Sequence, residues 1–371
     1  MTYISRRWLL RATPVLGAIA LTLNQNKRSV ARNTSIRISP PGLSAEETLK
    51  RALDAGKLTV ALMPDEWANY ANLIAAFVQK YTLPVQVIDA KGNANTVLAA
   101  LRDSANSGKN APDVIDVPFA SGVQAKREGL LTPYLPASWH KIPSFLKDAQ
   151  GYWAGTHFGV LTFEYNSKVI PNPPQNWLDL LKPEYKDTFA LAGDPRTVPL
   201  ATNSVYSAAL AVGGPRDSGR SGLSFFSRLK KAGTLLPTLA TPATVESGKT
   251  PITFRWDYQA LQHRDKTDNK IKVVIPQRGT LARFFVQGVN ALAPNPYGAR
   301  LWLDFLHSDE GQLLLLKGYA RSTWFGDLAR RGVIPPEQMD KLPPAADYAS
   351  TIFPRFNQTA KALKTIVEGW A

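Results

Sequence analysis

LTVALMPDEWANYANLIAAFVQKYTLPVQVI, residues 58–88, is the stretch that decides the fold. Leu58–Leu62 is an apolar run of strand length, and Pro64-Asp65-Glu66 interrupts it. Trp67, Tyr70, Ala71, Ile74, Phe77 and Val78 then fall at i, i+3, i+4 spacing, which predicts a helix. Pro84–Ile88 reads as a second strand. The same unit follows downstream: helix Ala94–Leu101, a polar glycine-containing loop, strand Asp113–Val117, and helix Ser121–Glu128 stopping at Gly129. Short buried strands alternating with helices are the pattern of an α/β protein with a parallel sheet. Upstream, Ser44-x-x-Glu47 is a capping box opening a short helix that ends at Gly56.

A second α/β block follows. Gly159–Tyr165 is a strand leading out of the first block, and Trp177–Leu181 is a short helix. Thr188–Ala192 is a strand, and Ser204–Val212 and Gly222–Lys231 are helices. Ile252–Tyr258 and Ile271–Ile275 are strands separated by a polar helix or turn, and Ala282–Val289 is a further strand candidate. The last quarter is mostly helical, over Tyr297–Leu306, Glu310–Leu316 and Gln358–Trp370. Residues 290–371 are too few and too helical for a third domain, so they are expected to return to the first block. The expected layout is one lobe of residues 44–160 plus 290–345, a second lobe of 161–289, and a C-terminal helical segment, 346–371, packed on the lobes.

The 371 residues carry 44 Lys+Arg against 29 Asp+Glu, a net charge of +15, and no cysteine. A disulfide framework, a cysteine-ligated metal and a thiol nucleophile are thereby excluded. Five of the positive charges (Arg6, Arg7, Arg11, Lys27, Arg28) lie in residues 1–31, which hold no acid. The apolar stretch Ala12–Leu23 is too short for a bilayer, which needs about 20 residues, but suits a signal peptide. Ser29-Val30-Ala31 offers small residues before a cut after Ala31, and Ser5-Arg6-Arg7-Trp8-Leu9-Leu10-Arg11 resembles a twin-arginine export motif. Residues 32–43, with Pro40-Pro41-Gly42, read as a flexible lead-in. The expectation is an exported periplasmic protein, soluble and without a lipid anchor. The remaining charges are scattered and no nucleic-acid-binding signature appears, so no nucleic-acid partner is expected.

Catalytic motifs fail on inspection. Gly248-Lys249-Thr250 lacks the earlier glycine of a phosphate-binding loop, because position 243 is Ala243. Ser144-Phe145-Leu146-Lys147 has the spacing of penicillin-recognising enzymes but no K-T-G or S-D-N follows. His140, His157, His263 and His307 are widely spread, as expected of surface or packing residues. No catalytic residue, metal site or cofactor is assigned, and the protein is expected not to be an enzyme.

Trp177-Leu178-Asp179-Leu180-Leu181-Lys182-Pro183-Glu184-Tyr185-Lys186-Asp187, followed by Gly193-Asp194-Pro195-Arg196, resembles a stretch of the bacterial extracellular solute-binding proteins. These are receptors of ABC importers for iron(III), polyamines, thiamine and related solutes. Further similar segments lie in the family's order: Ala111–Val114 through Glu128–Leu131, Trp153-Ala154-Gly155, Tyr165–Val169, and Ala293-Pro294-Asn295-Pro296 with Glu310-Gly311-Gln312. Together they span roughly residues 55–335. The resemblance implies a type II periplasmic-binding-protein fold, two α/β lobes joined by a hinge with the ligand in the cleft between them. It also implies a monomer that delivers a small solute to an ABC permease and its ATPase at the inner membrane.

Ligand contacts are expected where strands end and helices begin. Those positions give Glu66, Trp67, Asp116, Phe119, Thr197, Trp256, Asp257 and Tyr258 as candidate ligand-binding residues. Aromatic faces and carboxylates together are the chemistry of an amine receptor, so a polyamine or other organic cation is the first expectation. Core packing of Trp67, Trp256 and Tyr258 is the plain structural alternative. The family's iron receptors use adjacent tyrosines, and no two tyrosines are adjacent here. An iron receptor, an anionic solute such as a phosphonate held with Arg196, Arg255 or Arg283, and an exported hydrolase on the same fold are the remaining alternatives.

Overall fold

The computed structural model describes residues 43–65, 67–89, 92–107 and 111–371. The export segment expected over 1–31, the lead-in up to residue 42 and Glu66 lie outside the described residues. The first elements are α1 (Ala45–Asp54), β1 (Leu58–Ala61), α2 (Tyr70–Tyr81), β2 (Val85–Ile88), α3 (Ala94–Ser107), β3 (Val114–Pro118), α4 (Phe119–Arg127), β4 (Leu131–Thr132) and β5 (Ala154–Asn166). Then come α5 (Pro199–Ala211), α6 (Arg220–Lys231), α7 (Pro242–Glu246), β6 (Ile252–Trp256), α8 (Asp257–Lys266), β7 (Ile271–Val274) and β8 (Ala282–Asn290). The chain closes with α9 (Pro296–Leu306), α10 (Asp309–Lys317), β9 (Arg321–Ser322), α11 (Phe325–Arg330), α12 (Pro336–Met339) and α13 (Phe356–Gly369).

Local chemistry starts several of these elements. The Ser44 hydroxyl accepts the Glu47 N–H, and Glu46 and Glu47 sit at the positive end of α1. Asn295 Oδ1 accepts the Gly298 N–H at 2.8 Å to open α9, while its amide donates to the Ala52 carbonyl at 2.8 Å. The buried Asp113 carboxylate accepts the N–H groups of Thr59 at 2.7 Å and Asn295 at 2.5 Å. Asp113 and Asn295 therefore join β1, β3 and α9, so these two residues of the family-like segments hold the scaffold together.

β2, β1 and β3 are parallel, β8 runs antiparallel beside β3, and β5 runs antiparallel beside β8. Apolar clusters cover both faces of this sheet. The second half of β5 pairs instead with β6 and β7. The change of partner falls between Val160, opposite Ala282, and Leu161, opposite Trp256. β5 is therefore one strand shared by both lobes. The chain returns at Leu281, whose carbonyl accepts the Leu161 N–H at 2.9 Å. A third segment lies alongside: Ile352 pairs in parallel with Leu281 and donates its N–H to the Thr280 carbonyl at 2.8 Å. α13 then buries Ala362 and Ile366 in the second lobe's core.

Four sequence expectations change. β8 is paired with β3, so the return crossing precedes it; the second lobe ends near residue 281 and not at 289. Antiparallel pairing made this invisible, because an apolar strand carries no mark of which sheet it joins. The strand expected over Ile252–Tyr258 stops at Trp256, and Asp257 begins α8. The strand expected over Thr188–Ala192 shrinks to bridges made by Phe189 with Leu235 and Ile252. Finally, α2 begins at Tyr70, because Ala68 and Asn69 adopt left-handed backbone angles (φ 49° and 62°). These break the helical phase that had placed Trp67 in line with Ile74.

Candidate functional site

The ends of β1, β3 and β6 and the start of β8 converge where the lobes meet. Freed from the α2 phase, Trp67 points across the cleft. Its ring lies 6.2 Å from that of Tyr258 in the second lobe and packs edge-on, at 4.5 Å, against Phe285 of the first. His157, stacked on Phe285 at 5.0 Å, completes this wall; burial holds its pKa down to about 3, so the imidazole is neutral. The Trp67 indole N–H is buried without a hydrogen-bond partner among the described residues.

Tyr258 reaches this position because Gly159 has no side chain. A Cβ at Gly159 would lie 2.5 Å from the tyrosine ring and 3.0 Å from Asp257 Oδ1. Burial is the main cause that raises the Tyr258 pKa, the Asp257 carboxylate adds to it, and Arg283 acts in the opposite sense.

The two described candidate acids face inward. Asp257 is 1% exposed. Its Oδ1 accepts the N–H groups of Val160 at 3.0 Å and Tyr258 at 2.9 Å, and its Oδ2 accepts the Tyr348 hydroxyl at 3.0 Å. Burial lifts its pKa to about 6, against the pull of Arg321. Asp116 is fully buried, accepts the Tyr70 hydroxyl at 2.8 Å, and is pushed by burial to about 8. Gln287 joins the same network, donating to Tyr70 at 3.3 Å and accepting the Trp302 indole N–H at 2.8 Å. Asp257 thus spends both oxygens on the protein, while Asp116 Oδ1 is buried without a hydrogen-bond partner among the described residues.

The three arginines also separate. Arg196 is exposed and clamped on Asp194, with Nη2 to Oδ2 at 2.6 Å. Arg255 pairs at 2.6 Å with the buried Glu164, which also contacts His263 Nδ1. Arg283, half-buried at the start of β8, has no hydrogen-bond or ion-pair partner among the described residues. Burial lowers its pKa, while the adjacent Tyr258 acts to raise it.

Arg283 and Phe285 lie on one face of β8 and Phe284 on the other. Phe119, at the start of α4, stacks on Phe284 at 4.5 Å. Beside them is a cavity of about 150 Å³ that Arg283, Asn203 of α5 and the C-terminal segment also line. On the other side of Trp67 is a polar recess bounded by Arg255, Gln259, Gln262 and Lys266. Trp256 belongs to the second lobe's core, and Thr197 is exposed in the turn before α5, its N–H bonded to the Asp194 carbonyl at 3.0 Å. The tertiary structure thus places Trp67 beside Tyr258, which shares the second lobe's core with Trp256, and places Phe119 apart from them against Phe284; Asp116 and Asp257 are buried. Of the three arginines named in sequence, Arg283 is the one without an ion-pair partner among the described residues, and the structure adds Phe285 as a wall. Phe285 carried no sequence signal, being one apolar residue in an apolar strand.

The model of the bacterial extracellular solute-binding proteins matches residues 109–348. The chain belongs to that family. A curated relative, a probable ABC transporter periplasmic-binding protein of Sinorhizobium fredii, is 29% identical over 164 residues, which are 42% of this chain. The match spans 44% of that relative's length. Among solved structures, iron-bound HitA of Pseudomonas aeruginosa superimposes with a TM-score of 0.65 at 17% identity, over 85% of this chain and 99% of that one. The spermidine/putrescine protein PotD of Streptococcus pneumoniae gives 0.64 at 16%, over 84% and 98%. AfuA of Actinobacillus pleuropneumoniae with fructose-6-phosphate gives 0.63 at 18%, over 84% and 96%. This solute-binding chain therefore has the type II periplasmic-binding-protein fold, shared by proteins whose bound solutes differ widely in charge.

Proposed function

We propose that this protein is the periplasmic receptor of an ABC importer. It captures a small anionic solute between its lobes and presents the closed form to a membrane permease and its ATPase. Family membership supports the receptor role. The anionic class rests on one observation: Arg283 has no ion-pair partner among the described residues, whereas Asp257 spends both carboxylate oxygens on groups of the protein and Asp116 is fully buried beside Tyr70. A half-buried guanidinium without a counter-ion favours an incoming carboxylate, phosphate or phosphonate.

The amine expectation loses the same two carboxylates, and Glu66 lies outside the described residues. The iron reading has less support because no two tyrosines are adjacent in the sequence, unlike the pattern that the family resemblance implies for iron receptors. The protein works as a monomer without chemistry, and closure is the signal. No helix among the described residues is long and apolar enough to cross a membrane; the twin-arginine-like order of Ser5–Arg11 supports export to the periplasm.

The test is a thermal-shift and calorimetric screen of the purified protein with phosphate, methylphosphonate, acetate, citrate, putrescine, spermidine and thiamine. Ligand binding raises the melting temperature through RT ln(1 + [L]/Kd). An anion is expected to shift the wild type and not Arg283→Gln. An amine whose shift survives Arg283→Gln would overturn the anionic assignment.

A further inference from the structure

The cavity beside Arg283 has a chemistry of its own. Its volume is about 150 Å³, and its walls include Phe119, Leu281, Phe284, Phe353, Phe356 and Leu363. Its side-chain amide, Asn203 Nδ2, already donates to the Pro199 carbonyl at 2.7 Å. A site for a bare oxyanion would offer several N–H and O–H donors; besides Asn203, the side-chain donors lining this one are the Arg283 guanidinium and the Thr359 hydroxyl, among mostly apolar walls. An apolar cavity of about 150 Å³ accommodates one benzene-sized group.

Resting on the anionic reading above, we infer that the solute is an amphiphilic anion. Its acid group meets Arg283, and its apolar part, the size of one six-membered ring, enters the cavity. Besides β8, which supplies Arg283 and Phe284, the walls come from four places: α4 in the first lobe, α5 in the second, the return crossing at Leu281, and the C-terminal segment from Phe353 to Leu363. A ring seated there touches all four, so it contacts the closed arrangement more fully than the open one, which is the requirement for a ligand to drive closure. The C-terminal segment is held in place independently. Phe353 packs on Phe158 at 5.3 Å and Phe145 at 5.5 Å, and Phe356 lies under Arg127 of α4 at 5.2 Å.

Calorimetry on the whole protein with phenylacetate, acetate, inorganic phosphate and benzylamine tests this. Phenylacetate is expected to bind roughly ten- to a hundredfold more tightly than acetate, as burial of a ring's apolar surface predicts. Benzylamine, of like shape and opposite charge, is expected not to bind. Ala360→Phe adds a ring from an exposed position on α13 that borders the cavity. It is expected to bring phenylacetate down to the acetate level and leave acetate unchanged. Thr359→Leu is a milder block at the same wall, and circular dichroism checks that both variants fold. Acetate and phenylacetate binding equally, with both lost in Arg283→Gln, would overturn the amphiphile and keep the anion. Benzylamine binding that survives Arg283→Gln would overturn both, and so would binding of none of the four.

Discussion

Asp257 Oδ1 accepts the backbone N–H of Val160 at 3.0 Å, binding the first residue of α8 to the last residue of β5 that still pairs with the first lobe. The acid that sequence placed in the ligand site is thus part of the hinge. Through Oδ2 it also holds Tyr348, which lies just before the third crossing segment. Arg321 lies over the Tyr348 ring at 3.6 Å, so the junction gathers the strand crossing out, the end of β6 and the C-terminal return.

Asp257→Ala is expected to destabilise the protein by about 3 kcal/mol, because it leaves buried N–H groups of Val160 and Tyr258 without an acceptor. Asp257→Asn keeps an acceptor oxygen and is expected to cost about 1 kcal/mol while retaining the anion-induced thermal shift. Urea unfolding measures the first quantity. An amine that shifts the wild type but not Asp257→Asn would restore the amine receptor.

The Asp116 network predicts a pH dependence. With its folded pKa raised from 3.8 to about 8, Asp116 stays protonated between those values while the unfolded chain releases the proton. Its contribution to stability is therefore fully present below pH 4 and is lost as pH rises through 8, at up to about 1.4 kcal/mol per pH unit. Asp116→Asn removes the titration. Relative to the wild type, its melting temperature is expected to rise steadily from pH 4 to pH 8 and to level off above; parallel curves across that range would refute the assignment.

Glu164 is fully buried between Arg255 and His263. Glu164→Gln leaves the largely buried guanidinium without its counter-ion and is expected to cost about 3 kcal/mol. A change below about 0.5 kcal/mol in chemical denaturation would show that water compensates Arg255.

Gly159→Val puts atoms where the Tyr258 ring and Asp257 now approach the crossing strand. Overpacking of this kind is expected to cost about 1–3 kcal/mol. Displacement of Tyr258 is also expected to quench less of the Trp67 fluorescence, and an unchanged emission spectrum would argue against their contact.

Arg6→Lys together with Arg7→Lys is expected to strand the precursor in the cytoplasm of an exporting host. Fractionation and immunoblotting read this directly, and normal export of the double variant would rule out the twin-arginine route.

Much of the fold was legible along the chain. The strand–helix alternation after Leu58, the helix spanning Gln358–Trp370 and the exit strand Gly159–Tyr165 all appear, because period and punctuation are local properties. The site was legible only in part. Trp67, Phe119 and Tyr258 were named from their places at element ends; Trp67 does lie beside Tyr258, while Phe119 lies apart from both, against Phe284. Asp116 and Asp257 were named on the same grounds and fall inside the protein.

The amino-acid order alone determined which segments are strands and helices, which family the chain resembles and that no cysteine chemistry exists. Only the tertiary structure decided which charges are spent. Arg196, Arg255 and Arg283 look alike in sequence, yet Asp194 neutralises the first and Glu164 the second, and none of the described acids reaches the third. The allotment of β8 was decided in the same way. An ion pair or a strand pairing joins residues that can be some 90 or more positions apart, as Arg255 and Glu164 or Phe285 and Pro118 are. Spacing along a chain carries no record of such partners, because the energy that selects them arises only once the lobes have folded.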